Sequence, residues 1–182
     1  MYHITKGGIW MKNMAIKSLP FYLVFALLIV CLGYFYTPSP KEVQQINPQG
    51  LNEIFFIIAV NGAIFLLLLL FSFTGFSLLY SIKFLYSMGE SGKVSGYSPE
   101  IYYGASFIHG IGEILLVYLV IIFSIAHFRE LFLLLKTKSG IQLKHFYTKK
   151  LPKYLLIGFI LITLSAFAEV LIANNLIQRL VN

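Results

Sequence analysis

IYYGASFIHGIGEILLVYLVIIFSIAHFRELFLLL, residues 101–135, decides the fold. From Ile101 to Phe128 its one formally charged side chain is Glu113; Arg129 and Glu130 come only near the end. A stretch of about 18 or more apolar residues with few charges is a candidate membrane-spanning helix. At 1.5 Å rise per residue, about 20 residues cross a hydrocarbon core of about 30 Å. This block is longer than one crossing needs, so it must tilt, protrude or break.

Three more apolar blocks flank it: Leu19–Tyr36, Ile54–Met88 and Tyr154–Ile177. The first and last have the length of single helices. Ile54–Met88 is as long as the third block and is interrupted by Ser72, Thr74, Gly75, Ser77, Ser81 and Lys83. The whole 182-residue chain is 58% hydrophobic and 12% charged, with a mean hydropathy of +0.81. Soluble domains average about 25% charged residues. There is too little polar surface here to face water. A cytosolic globular domain, a disordered tail and a secreted disulfide scaffold are excluded, and the fold expected is an all-helical polytopic membrane bundle. The single cysteine, Cys31, sits among apolar neighbours and reads as a small buried hydrophobe.

Composition shifts mark the connections. Thr37–Glu53 holds Pro38, Pro40, Pro48 and Gly50 and reads as a helix-free linker, with Asn52 a candidate cap for the next helix. Gly89–Pro99 reads as a flexible loop, with Ser98-Pro99-Glu100 opening a helix. Residues 1–18 form a basic segment with Lys6, Lys12 and Lys17, and Trp10 is a candidate interfacial anchor. The apolar block after it is too long for a signal-peptide core and lacks a small-x-small cleavage site, so it reads as a retained first helix. Residues 19–182 read as one transmembrane domain carrying a basic loop over 129–153.

Charge sets the topology. There are 14 Lys and Arg against 7 acids, all of them Glu, for a net charge of +7. Half of the basic residues fall in 129–153: Arg129, Lys136, Lys138, Lys144, Lys149, Lys150 and Lys153. Cytoplasmic segments are enriched in Lys and Arg, so both this segment and residues 1–18 are expected in the cytoplasm, on the inner side of the plasma membrane. Four crossings would put them on opposite sides. A break at Ser72–Ser77 gives five and restores the parity; four crossings plus a re-entrant or interfacial piece is the alternative. The six lysines of the segment are candidates for contact with acidic lipid or with a partner protein. No aromatic-basic platform accompanies them, so nucleic acid is not an expected partner.

Polar groups in hydrocarbon are costly and call for an account. Asn61 lies in the second block, His109 and Glu113 in the third, and Glu169 in the fourth. His109 and Glu113 are four apart and share a helix face. Gly62, Gly110 and Gly112 remove bulk beside them and would let helices approach closely. The expectation is that Asn61, His109, Glu113 and Glu169 converge inside the bundle. Such a cluster can be a structural hydrogen-bonded lock, a gating or proton-relay element, or a peptide-contacting site. A metal site is not expected, since H-x-x-x-E lacks the H-E-x-x-H pattern, and no cofactor is implied. Ser106 lies near His109 but in no G-x-S-x-G elbow.

His109-Gly110-Ile111-Gly112-Glu113 resembles the PHG-x-x-E signature of stage II sporulation protein M-like membrane proteins, with Ile108 in place of the proline. Asn61-Gly62-Ala63 resembles that family's Asn-containing helix, and Ala168-Glu169-Val170 its Glu-containing last helix. The order and rough spacing agree over about residues 50–175. The resemblance implies a multi-pass helical protein without an established enzyme activity. Members act in sporulation complexes that remodel peptidoglycan. Short basic members accompany an ABC-type ATPase in circular bacteriocin systems, where they serve maturation, secretion or immunity. That second role is the expectation for this short cationic chain, with an apolar peptide as its cargo. A sporulation scaffold, and a peptide hydrolase or cyclase using Glu113 and His109, are the alternatives.

Overall fold

The computed structural model describes the backbone of residues 2–40, 42–43 and 50–181, and side chains from residue 15 to 180 within those ranges. The anchoring role expected of Trp10, Lys6 and Lys12, and the linker's Pro48, lie outside the described residues. The described residues form helices and contain no strand. They are α1 (Tyr2–Tyr36), α2 (Leu51–Leu70), α3 (Phe76–Val94) and α4 (Pro99–Thr137). A last, nearly continuous helix follows: α5 (Ile141–His145), a π segment Phe146–Lys150, α6 (Leu151–Ala168), a second π segment Glu169–Ala173, and α7 (Asn174–Val181).

The second apolar block breaks where its polar residues predict. Gly75 takes the left-handed conformation at φ 78°, which costs a residue without a side chain little. The turn satisfies its own backbone, as a segment at membrane depth must. Ser72 donates to the Leu69 carbonyl at 2.7 Å, Thr74 donates to that of Phe71 at 2.8 Å, and Ser77 reaches back to that of Leu68. The cap of α2 is Gly50 rather than Asn52: Glu53 accepts the Gly50 N–H at 2.8 Å. Ser98 caps α4, with Pro99 in the first turn. The third apolar block, by contrast, does not break. α4 has 39 residues, about 58 Å at 1.5 Å rise per residue. The basic stretch 129–153, expected as a loop, is mostly helix around the short turn at 138–140.

Neighbouring contacts give the directions. α1 and α3 run parallel: Ala26 packs with Leu85, Val30 meets Gly89, and the Lys93 ammonium lies 4.7 Å from the Tyr34 ring centroid. α2 and α6 are antiparallel, pairing Ile54 with Ala166 and Val170, and Phe65 with Gly158. α4 and α6 are also antiparallel, with Gly112 against Ser165 and Phe123 against Tyr154. The 71–75 turn, the 138–140 turn and the Lys17 region of α1 therefore share one end of the bundle. The linker after α1 and the Ser95–Ser98 loop share the other.

The core is apolar and ordered in height. Phe65, Leu68, Leu69, Val120, Phe123, Phe146 and Ile162 form the largest cluster, between α2, α4 and the last helix. Tyr22, Ala26, Leu85 and Val117 form a second. The exterior is apolar as well: Phe21 is 80% exposed, Phe55 70% and Leu135 78%. Helices apolar on every side belong in a bilayer. Ala15–Tyr36, Leu51–Leu70, Pro99–Thr137 and Ile141–Leu180 are long and apolar enough to cross one, and the chain is a multi-pass membrane protein. α3, which carries Lys83, Glu90 and Lys93, does not reach that threshold by composition. It nevertheless packs inside the bundle, against α1, α2 and α4.

Candidate functional site: a cleft between α1 and α4

α1 and α4 are fastened together in one half of the bundle. The Tyr22 hydroxyl donates to the Ile114 carbonyl at 2.7 Å, Ser18 and Tyr118 share a 2.7 Å hydrogen bond, and Tyr118 also donates to the Ala15 carbonyl. Towards the linker end, a cavity of about 820 Å³ separates the two helices. That lies within the range of about 300–1,000 Å³ typical of ligand sites. Its lips are apolar and turned outward: Leu27 is 63% exposed and Phe107 64%. Polar side chains also line it: Ser87 and Ser91 of α3, Tyr102, Ser106, His109 and Glu113 of α4, and Glu169.

Local structure accounts for these placements. His109 and Glu113 occupy one face of α4, one turn apart. Gly112 sits on the neighbouring face, pressed so close to α6 that a Cβ would lie 2.1 Å from the Ser165 oxygen. That contact sets how near the polar residues of α4 come to the last helix. Glu169 is the first residue of the second π segment; single π turns in longer helices recur at functional sites. Gly110 is different from Gly112. It lines the cavity, and the nearest atom to a Cβ there would be the Met88 methyl at 3.8 Å. Gly62 packs against the Phe159 ring, with 3.1 Å to a built Cβ.

Three of the four polar residues singled out from the sequence meet in this cleft: His109, Glu113 and Glu169. Asn61 is on the far side of Glu113. It lines a separate cavity of about 40 Å³ with Tyr80, Ser81 and Leu116, and Glu113 borders both cavities. The small cavity has room for a water molecule.

The charge pattern of the cleft is one-sided. Among the described residues that line it are two carboxyl groups, Glu113 and Glu169, and no Lys or Arg, in a chain with net charge +7. Among the described residues neither has an ion-pair partner. The His109 Nδ1 is buried with no hydrogen-bond partner among the described residues. No hydroxyl or thiol of the cleft is hydrogen-bonded to His109 among the described residues, so the nucleophile–base pair that covalent catalysis needs is not assembled. Among the described residues no group of three His, Cys, Asp or Glu side chains is placed to hold a metal ion.

A second polar constellation lies at the opposite end and escaped the sequence reading. His127 is 4% exposed. Its Nδ1 is 2.6 Å from the Ser72 hydroxyl and its Nε2 is 2.6 Å from that of Tyr147. Ser72 already donates to the Leu69 carbonyl. Its oxygen therefore accepts from Nδ1–H, and Nε2 accepts from Tyr147, an assignment that follows from donor accounting. Phe146 stacks on the imidazole at 5.4 Å and 14°. The arrangement ties the 71–75 turn to the first π segment. Because the Ser72 proton points away from the imidazole, it is a clasp and not a nucleophile. One helical turn on, Glu130 pairs with Lys150 at 3.3 Å, with side chains 7% and 18% exposed. Of the six lysines expected to contact lipid or a partner, Lys150 is thus half-buried and paired, while Lys136, Lys138, Lys144, Lys149 and Lys153 are exposed.

Comparison of the chain with protein-family models, characterised proteins and solved structures finds no match. What the cleft does must therefore be argued from its own chemistry.

Proposed function

We propose that the chain is a non-enzymatic membrane subunit that receives an apolar peptide from the bilayer between α1 and α4. It acts with an ABC-type ATPase in the maturation, secretion or immunity of a circular bacteriocin, as the stage II sporulation protein M-like resemblance implies. One observation carries the reading: a large cleft with apolar, outward-turned lips and polar side chains in its lining. A molecule that lives in the bilayer reaches such a cleft sideways without entering water. Among the described residues no hydroxyl or thiol is paired with His109, so covalent catalysis has no nucleophile in the cleft. The exposed lysines at the other end supply a basic surface on which a cytoplasmic partner can dock. On this reading that end faces the cytoplasm, in keeping with the positive-inside bias.

The test is photo-crosslinking in producing cells, with a photoreactive side chain at Leu27 or Phe107 and, as a control, at Phe55. Adducts to the apolar peptide from the two cleft positions and none from Phe55 are the expected result. Adducts to lipid alone from all three positions would remove the reading. Replacing Lys144 and Lys149 by Glu should release the ATPase on copurification while leaving the cleft adducts in place.

A further inference from the structure

We infer that the cleft recognises its occupant through a positive charge: the ammonium group of a lysine, or of an amino terminus, carried by an apolar peptide. The inference rests on the cleft being the working site proposed above, and it names what that site selects. Three observations converge. The wall presents Glu113 and Glu169 without a cationic partner among the described residues. Tyr102 and Tyr103, edge to face at 5.2 Å, line the same cleft as the two acids, while the ring of Tyr34, 6.1 Å from Tyr103, already faces the Lys93 ammonium. Among the described residues no Lys or Arg lines the cleft. A carboxylate pair of this kind in low dielectric is completed by a donor that brings charge. Aromatic rings attract the same charge through their negative faces. The apolar remainder of the peptide stays against Leu27 and Phe107 on the lips.

The volume agrees with this division. At about 820 Å³ the cleft takes a side chain and its immediate neighbours, not a whole membrane-spanning helix, whose diameter is about 10–12 Å over a length of about 30 Å. The charge is thus read at one position.

The test uses the full chain in phosphatidylcholine nanodiscs and three otherwise identical apolar helical peptides with Lys, Gln or Glu at their centre. Saturable binding above that of empty discs is measured. The Lys peptide should bind at least tenfold more tightly than the Gln peptide, and the Glu peptide should not bind. Tetraphenylphosphonium, an apolar cation, should displace the Lys peptide, and its anionic counterpart tetraphenylborate should not. Glu113→Gln with Glu169→Gln should weaken the Lys peptide at least tenfold. Should that variant fold poorly, Ile111→Trp obstructs the cleft with both acids in place and should abolish binding, while Leu171→Trp should leave it intact. Equal binding of Lys and Gln peptides, or retention of affinity by the double variant, overturns the inference. So does binding of tetraphenylphosphonium without the Lys peptide. Cleft adducts to the natural peptide with no charge preference would sink this inference alone. A charge preference without any adduct in cells would sink the peptide-handling reading alone.

Discussion

Replacing Gly33 by Ala should destabilise the protein, although a glycine in mid-helix ordinarily costs stability. The usual gain is about 1 kcal/mol, from the lower backbone entropy of Ala. At Gly33 a Cβ would lie 2.1 Å from the Tyr86 carbonyl oxygen, and at Gly89 one would lie 2.0 Å from that of Val30. Both obstructions are backbone, so no side chain can swing aside. The two helices must separate by about 1 Å to reach even a tight contact. A gap of 0.5–1 Å forfeits about a quarter to a half of the dispersion energy across a seam, and overpacking typically costs about 1–3 kcal/mol. The backbone obstruction puts Gly33→Ala at the upper end, so the net loss is about 2 kcal/mol after the helix gain. For a chain of this size that lowers Tm by about 4–8 °C. Gly104, with nothing within 4 Å of a built Cβ, is the control, and Gly104→Ala should raise Tm by a few degrees. The double change at 33 and 89 should cost clearly less than the sum, because both ask for the same displacement. Thermal unfolding in detergent micelles, followed by circular dichroism, measures all four. A Gly33→Ala protein as stable as Gly104→Ala would refute the close α1–α3 approach and the parallel pairing built on it.

Three further outcomes are expected from the same assay. Lys150→Met should cost about 2–3 kcal/mol by leaving Glu130 buried without its partner, and Glu130→Met added to it should recover most of that, since breaking one side of a buried pair costs more than removing both. His127→Phe keeps the stack on Phe146 but strips two hydrogen bonds, for a loss of about 1–3 kcal/mol; Tyr147→Phe should cost less, because Tyr147 is 41% exposed. Gly158→Ala should destabilise by driving a Cβ to 2.2 Å from the buried Phe65 ring, and Phe65→Leu should rescue it by shortening the obstructing side chain; no rescue would mean that the obstruction lies elsewhere.

The sequence exposes these features unevenly, for physical reasons. The break at 71–75 is legible because Ser, Thr and Gly bring their own carbonyl partners and a left-handed residue to the place where a helix must stop. The start of α4 is legible because Ser98 and Pro99 act within one turn. The continuity of α4 is not, since length alone cannot say whether a long apolar run bends, breaks or protrudes. His109, Glu113 and Glu169 announce themselves through the cost of polar atoms in hydrocarbon, and they line one cleft. Asn61 looks alike in sequence but lies one cavity away, because which face of α2 turns towards Glu113 depends on how α2 packs against α6. His127 reads as peripheral because it comes near the end of a long helix. Its burial comes from Phe146 and Tyr147, twenty residues on, brought round by a π turn for which no residue pattern gives a sign. The pairing of α1 with α3 is hidden for a related reason: it depends on the direction of α2, which lies between them in the chain.

The two π segments of the last helix carry a consequence for how its surface can change. Each holds one residue more per turn than an α-helix, which at 3.6 residues per turn amounts to about 100° of rotation. A helical wheel drawn in one piece over 141–181 therefore misassigns the orientation of everything beyond Lys150, and again beyond Ala173. Shortening the chain by one residue at Phe146–Lys150 would let an unbroken α-helix form and leave the stretch with Glu169 aimed as before relative to α5, because the π turn already absorbs the extra residue. Loss or gain of a single codon within Leu151–Ala168, by contrast, would turn the stretch beyond it by about that angle, re-aiming a carboxylate without altering any other side chain.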